Sequence, residues 1–225
     1  MKLLLLWDID GTLIASGGAG MRALQDALRN VFGIDGSLAD IDFGGRTDHW
    51  IMREVFRKFG LEPSAENFAR YFEGYIAALP GELANLHARV LPGVRDILQA
   101  AAAHGQIAQG LLTGNMKRGA QVKLAHHGLW EHFLFGAFAD DSEHRNELGP
   151  HAVRRAGEQH GVDFSAANVW VIGDTPHDIA CGKVIGARTL AVATGGYPLE
   201  QLRTHSPTVV LEDLADTERV LKVLV

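Results

Sequence analysis

The chain has 225 residues, of which 47% are hydrophobic and 21% are charged, and its mean hydropathy of +0.01 is that of an ordinary globular protein. This composition excludes a disordered chain, and the apolar run near the start, Leu3 to Trp7, is too short to cross a bilayer. The formal net charge of −6 argues against a nucleic-acid partner. The single cysteine, Cys181, cannot form an internal disulfide, which favours a cytoplasmic location. We therefore expect no membrane or nucleic-acid partner, and the sequence does not indicate an oligomeric state.

The first predicted strand, Leu3 to Trp7, is followed by helical patterns rather than by another strand. Between residues 16 and 88, apolar residues recur at the three-and-four spacing of helix faces. This predicts a small all-α domain, residues 16–88, inserted after the first strand. Its expected hinges are Ala15 to Gly18 and Arg89 to Gly93, which contain small residues and a Pro-Gly pair.

After residue 90, short apolar runs alternate regularly with helical patterns. The runs that predict buried strands are Ile107 to Leu112, Phe133 to Phe138, Val169 to Ile172, Thr189 to Val192 and Val209 to Leu211. Strands that alternate with helices indicate a parallel sheet covered on both faces, with ligands bound at the carboxyl ends of the strands. We predict an α/β protein, with a Rossmann-like three-layer core and mainly parallel sheet formed by residues 1–15 and 89–225.

Acidic residues follow two of these strands. Asp8 and Asp10 come directly after the first strand, and side chains two apart on an extended segment point to the same side. Two carboxylates so close repel each other unless a cation binds or one holds a proton. Asp174 and Asp178 follow the strand that ends at Ile172, beside a predicted helix start at Pro176. Four acids at strand ends predict a Mg²⁺ site, because Mg²⁺ prefers oxygen ligands; the plainer reading is that Asp174 only caps the helix.

A hydroxyl and backbone amides follow a third strand. Thr113, Gly114 and Asn115 come after Leu112 and can hold phosphate oxygens. Alone, this tripeptide is an ordinary helix-entry turn, and its position beside two acidic clusters is what favours a phosphate site.

Together these motifs resemble those of the haloacid dehalogenase superfamily of hydrolases, over essentially the whole chain. Asp8-Ile9-Asp10-Gly11-Thr12 is similar to its first motif, Leu112-Thr113-Gly114-Asn115 to its second, and Gly173-Asp174-Thr175-Pro176-His177-Asp178 to its fourth. The helical insertion resembles the mobile cap of phosphoglycolate phosphatase and β-phosphoglucomutase relatives. The resemblance implies an enzyme, a phosphoric monoester hydrolase acting on a small-molecule phosphomonoester such as phosphoglycolate or a sugar phosphate.

The resemblance also implies roles for single residues. Asp8 would attack phosphorus and form an aspartyl-phosphate that water hydrolyses. Asp10 would protonate the leaving alkoxide, later deprotonate the water, and offer its backbone carbonyl to Mg²⁺. Asp8 and Asp174 would supply carboxylates to the metal, with Asp178 in support. The residues expected at the phosphate are Gly11, Thr12, Thr113, Gly114 and Asn115, and Thr113 is also expected among the catalytic residues.

The third motif of the family departs from its usual form here. The family usually has a lysine before the helix that precedes the fourth motif, whereas residues 141–150 contain none. Arg145 is our candidate for the cation that bridges nucleophile and phosphate, because a guanidinium is always charged and grips phosphate with two donors. It could equally be a loop arginine paired with Glu143 or Glu147, in which case Lys117 is the reserve.

In the predicted cap, Arg46 lies in a loop that faces the substrate in relatives. Arg46 could bind an anionic group of the leaving alcohol. Alternatively, this loop could serve only to cap the next helix through Thr47 or Asp48.

Parts of the sequence are compatible with functions other than a phosphatase. Gly18 to Ala23 fits a dinucleotide-binding glycine pattern, but it does not directly follow the first strand as that motif requires. A dehalogenase would leave Asp10 without a role. A β-phosphoglucomutase-like phosphomutase, or a non-catalytic protein that binds a phosphate ligand, stays open as an alternative.

Overall fold

The computed structural model describes residues 2–85 and 87–225. Met1 and Leu86, which belong to the predicted segments 1–15 and 16–88, lie outside the described residues. In chain order, the elements are β1 Leu3–Trp7, β2 Ile14–Ala15, α1 Ala19–Phe32, α2 Asp48–Phe59, α3 Ala65–Leu83, β3 Arg89–Val90, α4 Val94–Ala103, β4 Ile107–Leu112, α5 Lys117–His126, β5 Gly136–Ala137, α6 Leu148–His160, β6 Val169–Gly173, α7 Pro176–Val184, β7 Arg188–Val192, α8 Leu199–Thr204, β8 Val209–Leu211 and α9 Thr217–Leu224. A 3₁₀ turn over Arg145–Glu147 precedes α6.

The main sheet is parallel, with the strand order β5-β4-β1-β6-β7-β8. β1 lies between β4 and β6, so the strands that precede and follow it in the sheet are added in opposite directions from β1. Parallel sheets of this kind bind ligands in the crevice at the carboxyl ends of the strands where the order reverses.

Successive side chains of a strand point to opposite faces of the sheet, and here both faces are apolar. Helices therefore cover the sheet on both sides. Leu5 and Trp7 of β1 pack in one hydrophobic cluster with α4, α5 and α9. Leu4 and Leu6 pack in another with α6 and α7. The predicted α/β fold with a three-layer core and mainly parallel sheet is confirmed.

Helices α1, α2 and α3 form a separate hydrophobic cluster, and we call these three helices, with the loops that connect them, the cap. Its largest buried side chains include Phe56, Tyr71 and Tyr75. Thr47 and Ser64 cap α2 and α3, each accepting a hydrogen bond from a backbone amide of the first turn. The division of the chain at residues 16 and 88 stays a prediction.

One local prediction differs from the structure. The run Phe133 to Phe138 contains only the short strand β5, because Phe133 and Phe138 are used to fill the core. The predicted hinges contain an antiparallel pair, β2 with β3, whose backbone hydrogen bonds join the two places where the chain enters and leaves the cap. In the described part of the chain, none of the helices combines the length and apolarity needed to span a membrane.

Candidate active site

Asp8 and Asp10 lie just beyond β1, as the sequence predicts, and both line one cavity. The Asp8 amide extends the ladder of β1 by donating to Ile172 O at 2.9 Å. A tight turn follows, in which Gly11 has a φ of +83° and its amide donates to Ile14 O at 2.8 Å. The cavity holds about 310 Å³ and lies between the sheet edge and the cap.

Arg145 is buried against the two acidic clusters, with 8% of its surface exposed. Its Nη2 donates to Asp8 Oδ1 at 2.8 Å and also to Asp178 Oδ1, while Nη1 donates to Gly45 O of the cap side at 3.3 Å. Neither Glu143 nor Glu147 is its partner. Lys117, the reserve candidate, lines a different cavity of about 660 Å³ that contains none of the four predicted acids.

The first turn of α7 is capped by Thr175, not by Asp174. Thr175 Oγ1 accepts from the Asp178 amide, and Asp178 Oδ2 accepts from the amide and hydroxyl of Thr175 at 3.0 and 2.7 Å. This reciprocal capping box leaves Asp174 available for another role. Its carboxylate accepts from Thr12 Oγ1 at 3.2 Å and packs against Gly11 and Gly195, where a Cβ would collide with it.

The residues present fit a hard divalent cation. Asp8, Asp174 and Asp178 each offer a carboxylate oxygen within 4.8 Å of the others, and all three are buried. Ligands about 2.1 Å from Mg²⁺ lie at most about 4.2 Å apart, which is close to the separation of these oxygens. Both oxygens of Asp178 already bond to Thr175 or Arg145, so Asp8 and Asp174 are the carboxylates that remain for the ion.

The charge balance of the cluster points the same way. Burial raises the pKa of Asp8, and Arg145 only partly opposes this. Burial and the charges of Asp178 and Asp8 raise the pKa of Asp174 well above its ordinary value. A bound dication supplies the positive charge that would let these carboxylates ionise together.

The loop after β4 brings its polar groups to the same edge. Thr113 is fully buried, and its hydroxyl accepts from the amide and side-chain nitrogen of Asn115 at 3.3 and 2.9 Å. The Asn115 side chain also donates to Asp10 Oδ2 at 2.9 Å. Gly114 lies directly under the cap, where a Cβ would collide with the carbonyl oxygen of Arg46.

A lysine that the sequence analysis did not single out also reaches this site. Lys123 of α5 is 5% exposed, and its Nζ lies 2.6 Å from both Asp10 Oδ2 and Asn115 Oδ1. Burial alone would raise the pKa of Asp10, but Lys123 and Asn115 outweigh it and lower that pKa. The sequence feature that could have identified Lys123 is its position in α5, because it lies on the same buried face of the helix as Gly119, Ala120 and Leu124.

Two short segments of the core hold the cap over the site. The Asp48 amide donates to Gly114 O at 2.7 Å, and Asp48 Oδ2 accepts from the Met116 amide at 2.7 Å. Thr47 Oγ1 donates to Glu143 O at 2.7 Å. These bonds place the cap in contact with the sheet edge.

Arg46 lines the cavity, but its charged group is engaged at the cap surface. The guanidinium lies 4.5 Å from the centre of the Trp50 ring and 3.4 Å from Asp42 Oδ2. It is therefore not paired with the acids of the sheet edge.

Comparison with known proteins identifies relatives for nearly the full chain. Residues 5–183 match the model of the haloacid dehalogenase-like hydrolase family. The chain is 27% identical to a 5'-nucleotidase of Pseudomonas aeruginosa, over 97% of this chain and 95% of that protein. It is also 27% identical to a phosphoglycolate phosphatase of Rhodospirillum rubrum, over 96% and 89%. The structure of CbbY from Rhodobacter sphaeroides in complex with phosphate superposes with a TM-score of 0.77, at 15% identity and 96% coverage of both chains.

Proposed function

The chain belongs to the haloacid dehalogenase-like hydrolase family, and from this premise we propose that it is a Mg²⁺-dependent phosphatase that hydrolyses a small phosphomonoester through an aspartyl-phosphate on Asp8. Membership confirms the resemblance seen in the sequence, and the phosphatase relatives confirm an enzyme of the phosphoric monoester hydrolase class. The observation that carries the finer proposal is the placement of Asp8 between Arg145 and a cavity that Asp10 also lines.

Asp8 is suited to attack phosphorus. Its carboxylate lies at the end of a rigid central strand, and Arg145 fixes one of its oxygens. The same guanidinium has further donors, and an arginine fork binds phosphate oxygens well. Arg145 can therefore hold the phosphate and reduce its repulsion from the nucleophile.

Asp10 is suited to move the proton. It lies two residues beyond Asp8, and both residues line the cavity where the alcohol of the ester would lie. Lys123 and Asn115 favour the ionised form of Asp10 in the protein alone, so Asp10 would take up a proton when the anionic phosphate enters the cavity. In the first half of the reaction it would give that proton to the leaving oxygen, and in the second half it would take one from the attacking water. Closure of the cap would limit the access of other water to the phosphoenzyme.

The metal would be held by the carboxylates of Asp8 and Asp174, together with the backbone carbonyl of Asp10. Asp178 is already bonded through both oxygens to Thr175 and Arg145, so its role is to hold Arg145 and the start of α7. When bound, Mg²⁺ neutralises charge that develops on the phosphoryl oxygens.

The size of the cavity favours a small leaving group. About 310 Å³ accommodates a phosphoryl group with an alcohol of a few carbon atoms. The relatives include both a phosphoglycolate phosphatase and a 5'-nucleotidase, so relatedness does not single out one compound. We therefore propose a substrate class, small phosphomonoesters such as phosphoglycolate or a sugar phosphate. A cytoplasmic location stays a prediction.

The test is phosphate release from a panel of small phosphomonoesters. Wild type, Asp8→Asn and the exposed control Asp163→Asn are compared, each with Mg²⁺ and with a chelator. We expect release only from wild type and the control, and only with Mg²⁺. If the folded wild-type protein releases no phosphate from any ester with Mg²⁺ present, the phosphatase proposal is wrong, and conversion of a sugar phosphate to its isomer would then indicate a phosphomutase.

A further inference from the structure

Lys123 is a buried cation that the proposed reaction does not yet use. Its ammonium lies where the core meets the cap. On the core side it bonds to Asp10 Oδ2 and Asn115 Oδ1, each at 2.6 Å. On the cap side, a Cβ on Gly20 of α1 would lie 3.7 Å from its Nζ.

Two further cap residues pack on α5 one turn before Lys123. A Cβ added to Gly119 would lie 3.4 Å from the ring of Tyr75 and 3.7 Å from Asp48 Oδ2. Burial disfavours the lysine's charge, but Asp10, Tyr75 and Asp48 outweigh it and raise the pKa of Lys123. The ammonium therefore stays charged, and the carboxylates of Asp10 and Asp48 compensate for the cost of burying it.

The two buried cations of the site are divided between its two essential carboxylates. Arg145 bonds to Asp8, whereas Lys123 bonds to Asp10. Asp10, Asn115 and Lys123 form a closed triangle, since Asn115 also donates to Asp10 Oδ2 at 2.9 Å. Both donors meet the same oxygen, so they fix the rotamer of the carboxyl group and leave its second oxygen outside the triangle.

We propose that Lys123 is a positioning residue that holds the Asp10 carboxyl at the leaving-group oxygen when the cap is closed. This inference rests on the proposed phosphatase function. In the step concerned, the bond between phosphorus and the ester oxygen breaks, the phosphoryl group forms a bond to Asp8, and the proton of Asp10 passes to the departing oxygen. A carboxyl that is free to rotate delivers that proton less often, so the loss should depend on how much the leaving group needs it.

The test compares leaving groups in the Lys123→Met variant, which keeps the apolar stem and removes the ammonium. The probes are an alkyl phosphate that the wild type hydrolyses and p-nitrophenyl phosphate, whose leaving group departs without protonation. The quantity measured is kcat/KM, because it covers steps up to departure of the alcohol. We expect a fall of about 100-fold for the alkyl ester and of less than about 10-fold for the aryl ester.

The matched control is Arg118→Met on the same helix. Arg118 is exposed and joins the core to the cap through Glu73 of α3, so this variant also loses a cation between core and cap but leaves Asp10 untouched. It should keep the wild-type ratio of the two kcat/KM values. Should Lys123→Met not fold, Lys123→Met combined with Asp48→Asn removes one charge of each sign and is judged by the same ratio.

Equal losses on the two esters, or no loss on either, would overturn the role of Lys123 while leaving the phosphatase proposal intact. A wild-type protein that hydrolyses neither ester would contradict the phosphatase proposal itself, and the inference with it.

Discussion

Arg145 lies between Asp8 and Asp178 at the place where the family usually has a lysine. Arg145→Ala should lower kcat/KM by at least about 100-fold, because it removes the donor that orients the nucleophile and stabilises phosphoryl charge. Lys117→Ala should retain wild-type kcat/KM, since Lys117 lines a separate cavity.

Loss of folding must be separated from loss of chemistry in this experiment, because Arg145→Ala leaves two buried carboxylates without their cation. Circular dichroism and the Arg145→Lys variant, which keeps the charge, provide that control. Near-normal turnover in folded Arg145→Ala, with loss of turnover in Lys117→Ala, would move the role to Lys117.

Asp48 gives a prediction for stability against pH. Burial raises the pKa of Asp48 from 3.8 to about 6, against the effect of Lys123. A raised pKa means that the folded protein favours the protonated form, so this contribution to stability is fully present below pH 3.8 and is lost as pH rises through about 6. Asp48→Asn stays neutral, so its free energy of unfolding relative to wild type should rise by about 1–3 kcal/mol between about pH 4 and pH 8.

Urea unfolding of both proteins, with a chelator present, measures this difference. The asparagine keeps an acceptor for the Met116 amide, so any constant offset between the two curves reflects that bond. Parallel curves across the pH range would show that Asp48 titrates normally in the folded state.

At the scale of elements, the contact between the cap and the loop after β4 depends on the lack of a side chain at Gly114. A Cβ there would collide with the Arg46 carbonyl and lie 2.9 Å from Arg145 Nη1. Gly114→Ala should therefore displace the cap loop, which lowers kcat/KM by about 100-fold and the free energy of unfolding by about 1–3 kcal/mol.

Gly81→Ala is the control, since a Cβ on Gly81 of α3 has no neighbour within 4 Å. It should keep wild-type activity and stabilise the protein by up to about 1 kcal/mol, as replacement of a helical glycine does. Equal activity in the two variants would mean that the close approach at Gly114 is not needed for turnover.

The elements that could be predicted from the sequence are those with strong periodicity. β1, β4 and β8 have the bounds that their apolar runs predict, and the helices of the cap follow from three-and-four spacing. The bounds of β5 could not be predicted, because Phe133 and Phe138 pack in the hydrophobic core but do not belong to the strand. The pairing of β2 with β3 is long-range in sequence and has only two residues in each strand, so no local pattern announces it.

At the scale of the whole molecule, the acids and the loop after β4 could be predicted because parallel strands end at one edge. The contact of Lys123 with Asp10 could not be predicted, because its place on the buried face of α5 indicates burial but does not name a partner on a distant element. The contacts of Arg46 with Asp42 and Trp50 could not be predicted either, and its contact with the substrate stays a prediction. Topology is readable from runs and spacings, whereas side-chain pairing between distant elements is not.

The account depends most on Asp8 as the residue that receives the phosphoryl group. The direct measurement is peptide mass mapping of the Asp10→Asn variant, mixed with Mg²⁺ and p-nitrophenyl phosphate and quenched in acid. An aryl leaving group needs no proton from residue 10, whereas the attacking water needs residue 10 as the base that takes its proton, so the phosphoenzyme should accumulate in Asp10→Asn. We predict one phosphoryl group on the peptide that contains Asp8, and none in Asp8→Asn. A phosphoryl group on a different residue, or none at all in a variant that releases p-nitrophenol, would contradict the mechanism.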